Sequence, residues 1–110
     1  MTATAHRLDR TLAALADPRR RRAVDLLSER PRRAGELARE LGLAPPAMSR
    51  HLRVLRRSGL VEETHPEFDA RVRIFALRSQ PMAEVKAWLE RTEKAWSEQL
   101  SSFKDHLGAT

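Results

Sequence analysis

Two consecutive prolines, Pro45 and Pro46, head a run from Ala44 to Leu60 (APPAMSRHLRVLRRSGL) in which Met48, Leu52 and Leu55 return at helical spacing and arginines fill the gaps. Inside a helix, proline removes a donor and clashes with the preceding turn, but in the first turn its missing N–H costs nothing. The stretch therefore reads as a helix that starts at Pro45 and ends before Gly59, about four turns long. Met48, Leu52 and Leu55 share one face and dock it. Pro46, Ser49, Arg50, Arg53 and Arg57 occupy the other and stay free to meet something negative.

Upstream, Ala34 to Leu41 (AGELAREL) places Leu37, Ala38 and Leu41 on one side of a short helix, and Gly42 supplies the left-handed residue that commonly ends one. Two short helices joined by Gly42-Leu43-Ala44 make a helix-turn-helix over residues 34–58. Downstream, Leu60 to Thr64 and Arg71 to Leu77 alternate around the turn-prone His65 to Ala70, which predicts a β-hairpin. Val72, Ile74 and Ala76 fall on one of its faces, and Arg71, Arg73 and Phe75 on the other. A hairpin directly after a helix-turn-helix is a wing, here residues 60–77, with Arg71 and Arg73 carried toward phosphates beside a groove.

The flanks are helical. Leu8, Leu12 and Leu15 predict a short first helix over 8–17, and Asp17-Pro18 caps and opens a second, running to Glu29 and burying Ala23, Val24, Leu26 and Leu27 before Pro31 stops it. Pro81 opens a final helix over 81–107 whose apolar stripe includes Met82, Val85, Trp88, Leu89, Trp96, Leu100, Phe103 and Leu107. A chain of 110 residues suits one domain, and a core that small leaves such a stripe uncovered. Leu8, Leu12, Leu15, Trp88, Leu89, Trp96, Leu100 and Phe103 are therefore the candidate dimer interface. The expected fold is mainly α with a small β-hairpin, a winged helix-turn-helix dimerising through its N- and C-terminal helices.

Charge is unevenly placed. Residues 19–57 hold twelve arginines against four acids, net +8, residues 1–18 are neutral, and residues 58–110 sum to −2. Excess positive charge concentrated on the helix-turn-helix suits a polyanionic partner. The absence of cysteine removes disulfides, thiolate metal sites and cysteine nucleophiles. No apolar run reaches the roughly 18–20 residues that span a bilayer, and no signal-peptide core opens the chain, so a cytoplasmic protein without a membrane partner is expected.

With these elements in place, the stretch LADPRRRRAVDLLSERPRRAGELARELGLAPPAMSRHLRVLRRSGLVEE resembles the ArsR (ArsR/SmtB) winged-helix regulators, whose usual pattern is close to ALADPTRRRIL…ELAxxLGLSQPAVSxHLRxLxxAGLV. The likeness extends over residues 8–78. It implies a dimeric transcriptional repressor lying across a palindromic operator in double-stranded DNA, in some members autorepressing and answering to an effector. Members that sense soft metals carry an ELCxCDL segment where this chain has Glu36-Leu37-Ala38-Arg39-Glu40-Leu41, with both thiolate positions replaced. Another subgroup holds zinc through paired Asp/His and His/Glu positions, of which Asp105-His106 offers one pair. No metal or other cofactor is expected. The family's Ser-Gln-Pro at the recognition-helix start is here Ala44-Pro45-Pro46, so specificity is expected to rest on Ser49, Arg50 and His51, with Arg53 in support.

The DNA-contacting set expected from the sequence is Pro46, Ser49, Arg50, His51, Arg53, Arg57, Arg71 and Arg73. His51 has two readings, a base contact or a hydrogen bond within the domain. Arg56 and Arg57 can serve the helix dipole or phosphates. Arg19 to Arg22 point in four directions around a helix and divide between solvent and phosphate, while His6 and His65 read as surface residues. Ser49 and His51, two apart on a helix, face different ways, and no glycine-rich phosphate loop is present, so catalysis is not expected. The alternative class is a sequence-indifferent nucleic-acid-binding or chromosome-organising protein, distinguished by its lack of preference for one palindrome.

Overall fold

The computed structural model describes residues 3–108 and places eight elements in order: α1 (Ala3–Leu15), α2 (Pro18–Glu29), β1 (Arg32–Arg33), α3 (Ala34–Leu41), α4 (Pro45–Arg57), β2 (Val61–Thr64), β3 (Ile74–Leu77) and α5 (Ser79–Gly108). The helix-turn-helix is α3 and α4, and its boundaries follow the proline and glycine signals. Pro45 and Pro46 occupy the first turn of α4, and Gly42 takes φ 66° at the end of α3, where its N–H reaches the Ala38 and Arg39 carbonyls. Gly59 takes φ 84° just beyond α4. Both positions demand the left-handed region that glycine enters without strain.

Around these helices Ala14, Ala23, Leu27, Leu37, Ala38, Leu41, Met48, Leu52, Leu55, Leu60, Val61 and Phe75 form the core. Met48, Leu52 and Leu55 are all buried, so the stripe of α4 docks as its spacing requires. In α2, Ala23 and Leu27 are fully buried while Val24 and Leu26 are half-buried at its edge.

Three expectations need correction. The first helix begins at Ala3 rather than Leu8 and ends at Leu15, because Asp17 is spent as the cap of α2: its Oδ1 accepts from the Arg19 amide at 2.8 Å. The sheet has three antiparallel strands in the order β1-β3-β2, since Arg32 and Arg33 pair with Phe75 and Ile74. Residues 71–73 lie outside the strand, and β2 pairs with β3 from Val61 opposite Leu77 to Thr64 opposite Ile74. Within β3 it is Phe75 that reaches the core, at 0% exposure, while Ile74 and Ala76 are half-buried. Of the two faces that alternation defines, the inward one is therefore that of Phe75.

The final helix starts at Ser79, with Pro81 inside its first turn, and runs 30 residues, about 45 Å. Arg7 on α1 ties to Glu84 on α5 at 3.0 Å, so the two terminal helices share a face. Beyond Leu89 every described side chain of α5 is exposed. That projecting half gives the molecule its 71 × 30 × 23 Å extents.

Candidate nucleic-acid interface

The interface is built on α4. At about 100° per residue, Pro46, Arg50, Arg53 and Arg57 fall within an arc of about 60° on the side opposite the buried stripe. All four are exposed, and Arg50, Arg53 and Arg57 enter no ion pair among the described residues. Ser49, half-buried, sits toward the wing, where it lines a small cleft with Leu52, Arg53, Arg56, Arg73 and Phe75.

Glu63 on β2 locks the wing to α4. Its carboxylate accepts from Arg56 at 2.6 Å and from Arg73 in a very short hydrogen bond, and its side chain is almost wholly covered. The Arg73 guanidinium, aided by Arg56, holds the Glu63 carboxyl below its ordinary value despite partial burial. Arg73 also lies over the Phe75 ring, 5.3 Å from its centroid. Of the two wing arginines expected to reach DNA, Arg73 is thus held within the domain. Arg71 projects into solvent, with its amide and Nε donating to Asp69 Oδ1 at 2.9 and 3.2 Å. His65 is more than a surface residue: its Nδ1 donates to the Val72 carbonyl at 2.9 Å and closes the wing loop.

His51 turns away from the exposed stripe. It is half-buried, and Arg20 Nη1 lies 3.3 Å from its Nδ1. A guanidinium can only donate, so Nδ1 is the acceptor and the ring is neutral with its proton on Nε2. Burial pushes the imidazole below its ordinary value, only partly offset by Asp17, and Arg19, Arg20 and Arg50 add to the depression. Of its two readings, the hydrogen bond within the domain is the one present here.

The four-arginine run does structural work that charge patterning did not reveal. Arg19 pairs with Asp17 at 3.3 Å and holds its carboxyl down at about 2. Arg20 donates to the Ala14 carbonyl at 2.6 Å and Arg21 to those of Leu15 and Ala16 at 2.6 and 3.1 Å, satisfying the orphan acceptors at the end of α1. Arg32, 7% exposed, donates to the Leu26 carbonyl at 3.0 Å, to Glu36 at 2.6 Å and to Glu29, binding α2, β1 and α3 together. Arg30 and Arg32 keep the Glu36 carboxyl below its usual range, Arg30 having the larger effect. The Glu29, Arg32 and Glu36 spacing hints at this clamp, but Pro31 breaks the helical frame in which such spacing is read.

The expected dimer residues divide. Leu89, Trp96, Leu100 and Phe103 are exposed, Trp96 at 63%, and Leu12 stands at the margin. Leu8 and Trp88 are half-buried, and Leu15 packs partly against its own core. Among the described residues no group of three His, Asp or Glu side chains is placed to hold a metal ion, and no helix is long and apolar enough to cross a membrane.

A helix-turn-helix flanked by a three-stranded sheet, with a basic helix face left open, defines a winged helix-turn-helix DNA-binding domain. The model of the bacterial regulatory protein arsR family matches residues 17–63, from the cap of α2 to the start of the wing. The chain is 32% identical to the solved ArsR family transcriptional regulator RHA00566, with 88% of this chain and 97% of that one covered at a TM-score of 0.76. It belongs to the ArsR family of transcriptional regulators, which are not enzymes. It is also similar to the HTH-type transcriptional regulator Rv2034 of Mycobacterium tuberculosis, 49% identical over 53 residues, 48% of this chain and 50% of that protein. The chain spans 50% to 62% of the length of the curated relatives it matches. A homodimeric winged helix-turn-helix DNA-binding domain from Mycobacterium bovis shares the fold at 24% identity and a TM-score of 0.67, with 88% of this chain and 87% of that one covered.

Proposed function

We propose that the protein is a homodimeric repressor that binds a palindromic operator, placing its two α4 helices in successive major grooves about 34 Å apart and so blocking transcription. The observation that carries this reading is the row of unpaired arginines, Arg50, Arg53 and Arg57, on the solvent face of α4 in a domain where Arg20, Arg21, Arg32, Arg56 and Arg73 are all engaged internally. Arg50 and Arg53, with Pro46 and Ser49 nearer the helix start, meet base edges, and Arg57 and Arg71 meet phosphates. His51 supports α4 from behind through Arg20.

The dimer follows from the apolar row Leu89, Trp96, Leu100, Phe103 and Leu107, which a monomer leaves in water. Joined by Leu8, Leu12 and Trp88, it covers itself on a second copy across a two-fold axis. Mutants test this part directly: Trp96→Asp should sediment as a monomer, and an unaltered dimer would contradict it.

The deciding experiment is competition binding of the protein to its own promoter DNA and to random DNA at two salt concentrations. A preference of about 10³ or more that weakens steeply with salt establishes the operator-specific reading. Equal binding to both DNAs would put a sequence-indifferent architectural role in its place.

A further inference from the structure

A cleft of about 340 Å³ opens between α1 and the last turns of α4, lined by Arg10, Ala13, Ala14, Arg20, Val54, Arg57 and Ser58. We propose that it binds a small organic anion, a carboxylate on a compact apolar body, and that this ligand competes with DNA for Arg57.

The lining dictates that chemistry. Ala13, Ala14 and Val54 supply an apolar floor, and the charged residues among the described lining are three arginines. Arg20 is committed as wall, because its Nε and Nη2 donate to the Ala14 and Ala13 carbonyls at 2.6 and 3.4 Å and Nη1 donates to His51. The Ser58 hydroxyl is likewise engaged, donating to the Leu55 carbonyl at 2.7 Å. Arg10 and Arg57 remain, exposed and in no ion pair among the described residues, facing one cleft with like charge. A carboxylate between them converts repulsion into two charge-assisted hydrogen bonds, while the apolar body covers Val54 and the alanines. A fully hydrated inorganic anion gains the first of these and forfeits the second. The volume lies at the lower end of the small-molecule range, which suits a fused two-ring acid.

The site reaches the DNA face through one residue. Arg57 is the last residue of the exposed stripe of α4 and lines the cleft, so a ligand that holds it inward withdraws a contact from DNA. Linkage then requires DNA to weaken the ligand by the same factor. This consequence rests on the proposed function; the binding itself does not.

Titration calorimetry with 1-naphthoate as probe tests the site, with 1-naphthalenemethanol and inorganic phosphate as controls. Naphthoate should bind saturably, and each control at least about tenfold more weakly, the loss of one charge-assisted or apolar contribution. Arg10→Gln and Arg57→Gln should each weaken naphthoate by about tenfold, and Val54→Phe should exclude it by filling the floor. Absence of saturable binding, equal binding of the alcohol, or wild-type affinity in both Arg10→Gln and Val54→Phe would overturn the proposal. In a second arm, fluorescence anisotropy of labelled promoter DNA should report weaker binding as naphthoate saturates the wild type, with the response of Arg10→Gln displaced to about tenfold higher naphthoate while its affinity for DNA without naphthoate is unchanged. DNA affinity indifferent to naphthoate would overturn the competition for Arg57. Naphthoate binding in a wild type that shows no preference for its promoter would leave the cleft standing and fault the operator reading instead.

Discussion

Arg32 and Arg50 sit in the same basic segment, yet their surroundings are opposite. Arg32 is covered and bridges the Leu26 carbonyl, Glu29 and Glu36, whereas Arg50 extends from α4 into solvent with no carboxylate beside it. The difference lies in the acceptors each meets after folding. Helix ends and the junction before α3 present unsatisfied carbonyls and carboxylates, and arginine, with five donors in a fixed fork, is suited to collect them. The outer face of α4 presents none, so its guanidiniums keep their charge for a partner. A net charge of +6 therefore overstates the number of arginines available to DNA.

The largest effect that separates the two kinds is on stability. Arg32→Ala leaves Glu36 without its buried partner and the Leu26 carbonyl without a donor, and should cost about 3 kcal/mol in chemical denaturation. Lysine at the same position should recover less than half of that, because one ammonium cannot span three acceptors. A loss below about 0.5 kcal/mol for Arg32→Ala, the range of an ordinary surface change, would break the comparison at its structural end.

Arg50→Ala and Arg53→Ala should behave in reverse. Each is expected to lower operator affinity by about 1–3 kcal/mol while leaving unfolding free energy within about 0.5 kcal/mol of the parent. Anisotropy titrations at several salt concentrations, paired with denaturation curves, measure both quantities. Unchanged affinity in both variants would remove the recognition role from α4.

How much of this was legible in the sequence depends on the range of the interaction. Local chemistry was readable: Pro45, Gly42 and Gly59 bounded the helices, and Met48, Leu52 and Leu55 gave the docking face of α4. What escaped was settled across the chain. Nothing in Arg32-Arg33 reads as a strand until Phe75 and Ile74 arrive to pair with it. Phe75 and not Ile74 turns inward because β3 lies between two strands with α2 packed against it, a packing choice that alternation alone leaves open. The capping duties of Arg20 and Arg21 depend on where α1 ends relative to α2. The candidate interface was legible on α4 and less so on the wing, where Arg73 looked free until Glu63 was placed.

Glu63 offers a sharper test, since it decides how rigidly the wing follows α4. Glu63→Gln should cost about 1.5 kcal/mol of stability by weakening two charge-assisted hydrogen bonds, to Arg73 and Arg56. Because its carboxyl is held below the ordinary 4.5, the folded state binds its proton less readily than the unfolded chain. Its contribution is complete above that value and is lost as pH falls through the lowered one. Thermal unfolding from pH 6 to pH 3 should decline less steeply in Glu63→Gln than in the parent; identical slopes would place the acid sensitivity elsewhere, at Asp17 and Glu36, whose carboxyls are lowered too.

The smallest expected effect belongs to His51, which with Arg73 is one of two residues of the expected DNA set engaged within the domain. Its neutral ring accepts from Arg20 with Asp17, Arg19 and Arg50 close by, and burial opposes its protonation. Below its ordinary 6.5 the unfolded chain takes up the proton first, so stability is full above that value and declines as pH falls through the lowered folded one. Protonation also converts Nδ1 from acceptor to donor, which removes the Arg20 bond and sets two cations face to face. The cost is about 1 kcal/mol or less, the net worth of one hydrogen bond. His51→Gln, which keeps an acceptor and cannot titrate, should abolish the decline between pH 7.5 and pH 5.5. If the variant instead retained that decline and lost operator affinity as Arg50→Ala does, His51 would belong with the free arginines on the DNA side, and the division drawn between the two faces of α4 would have to move.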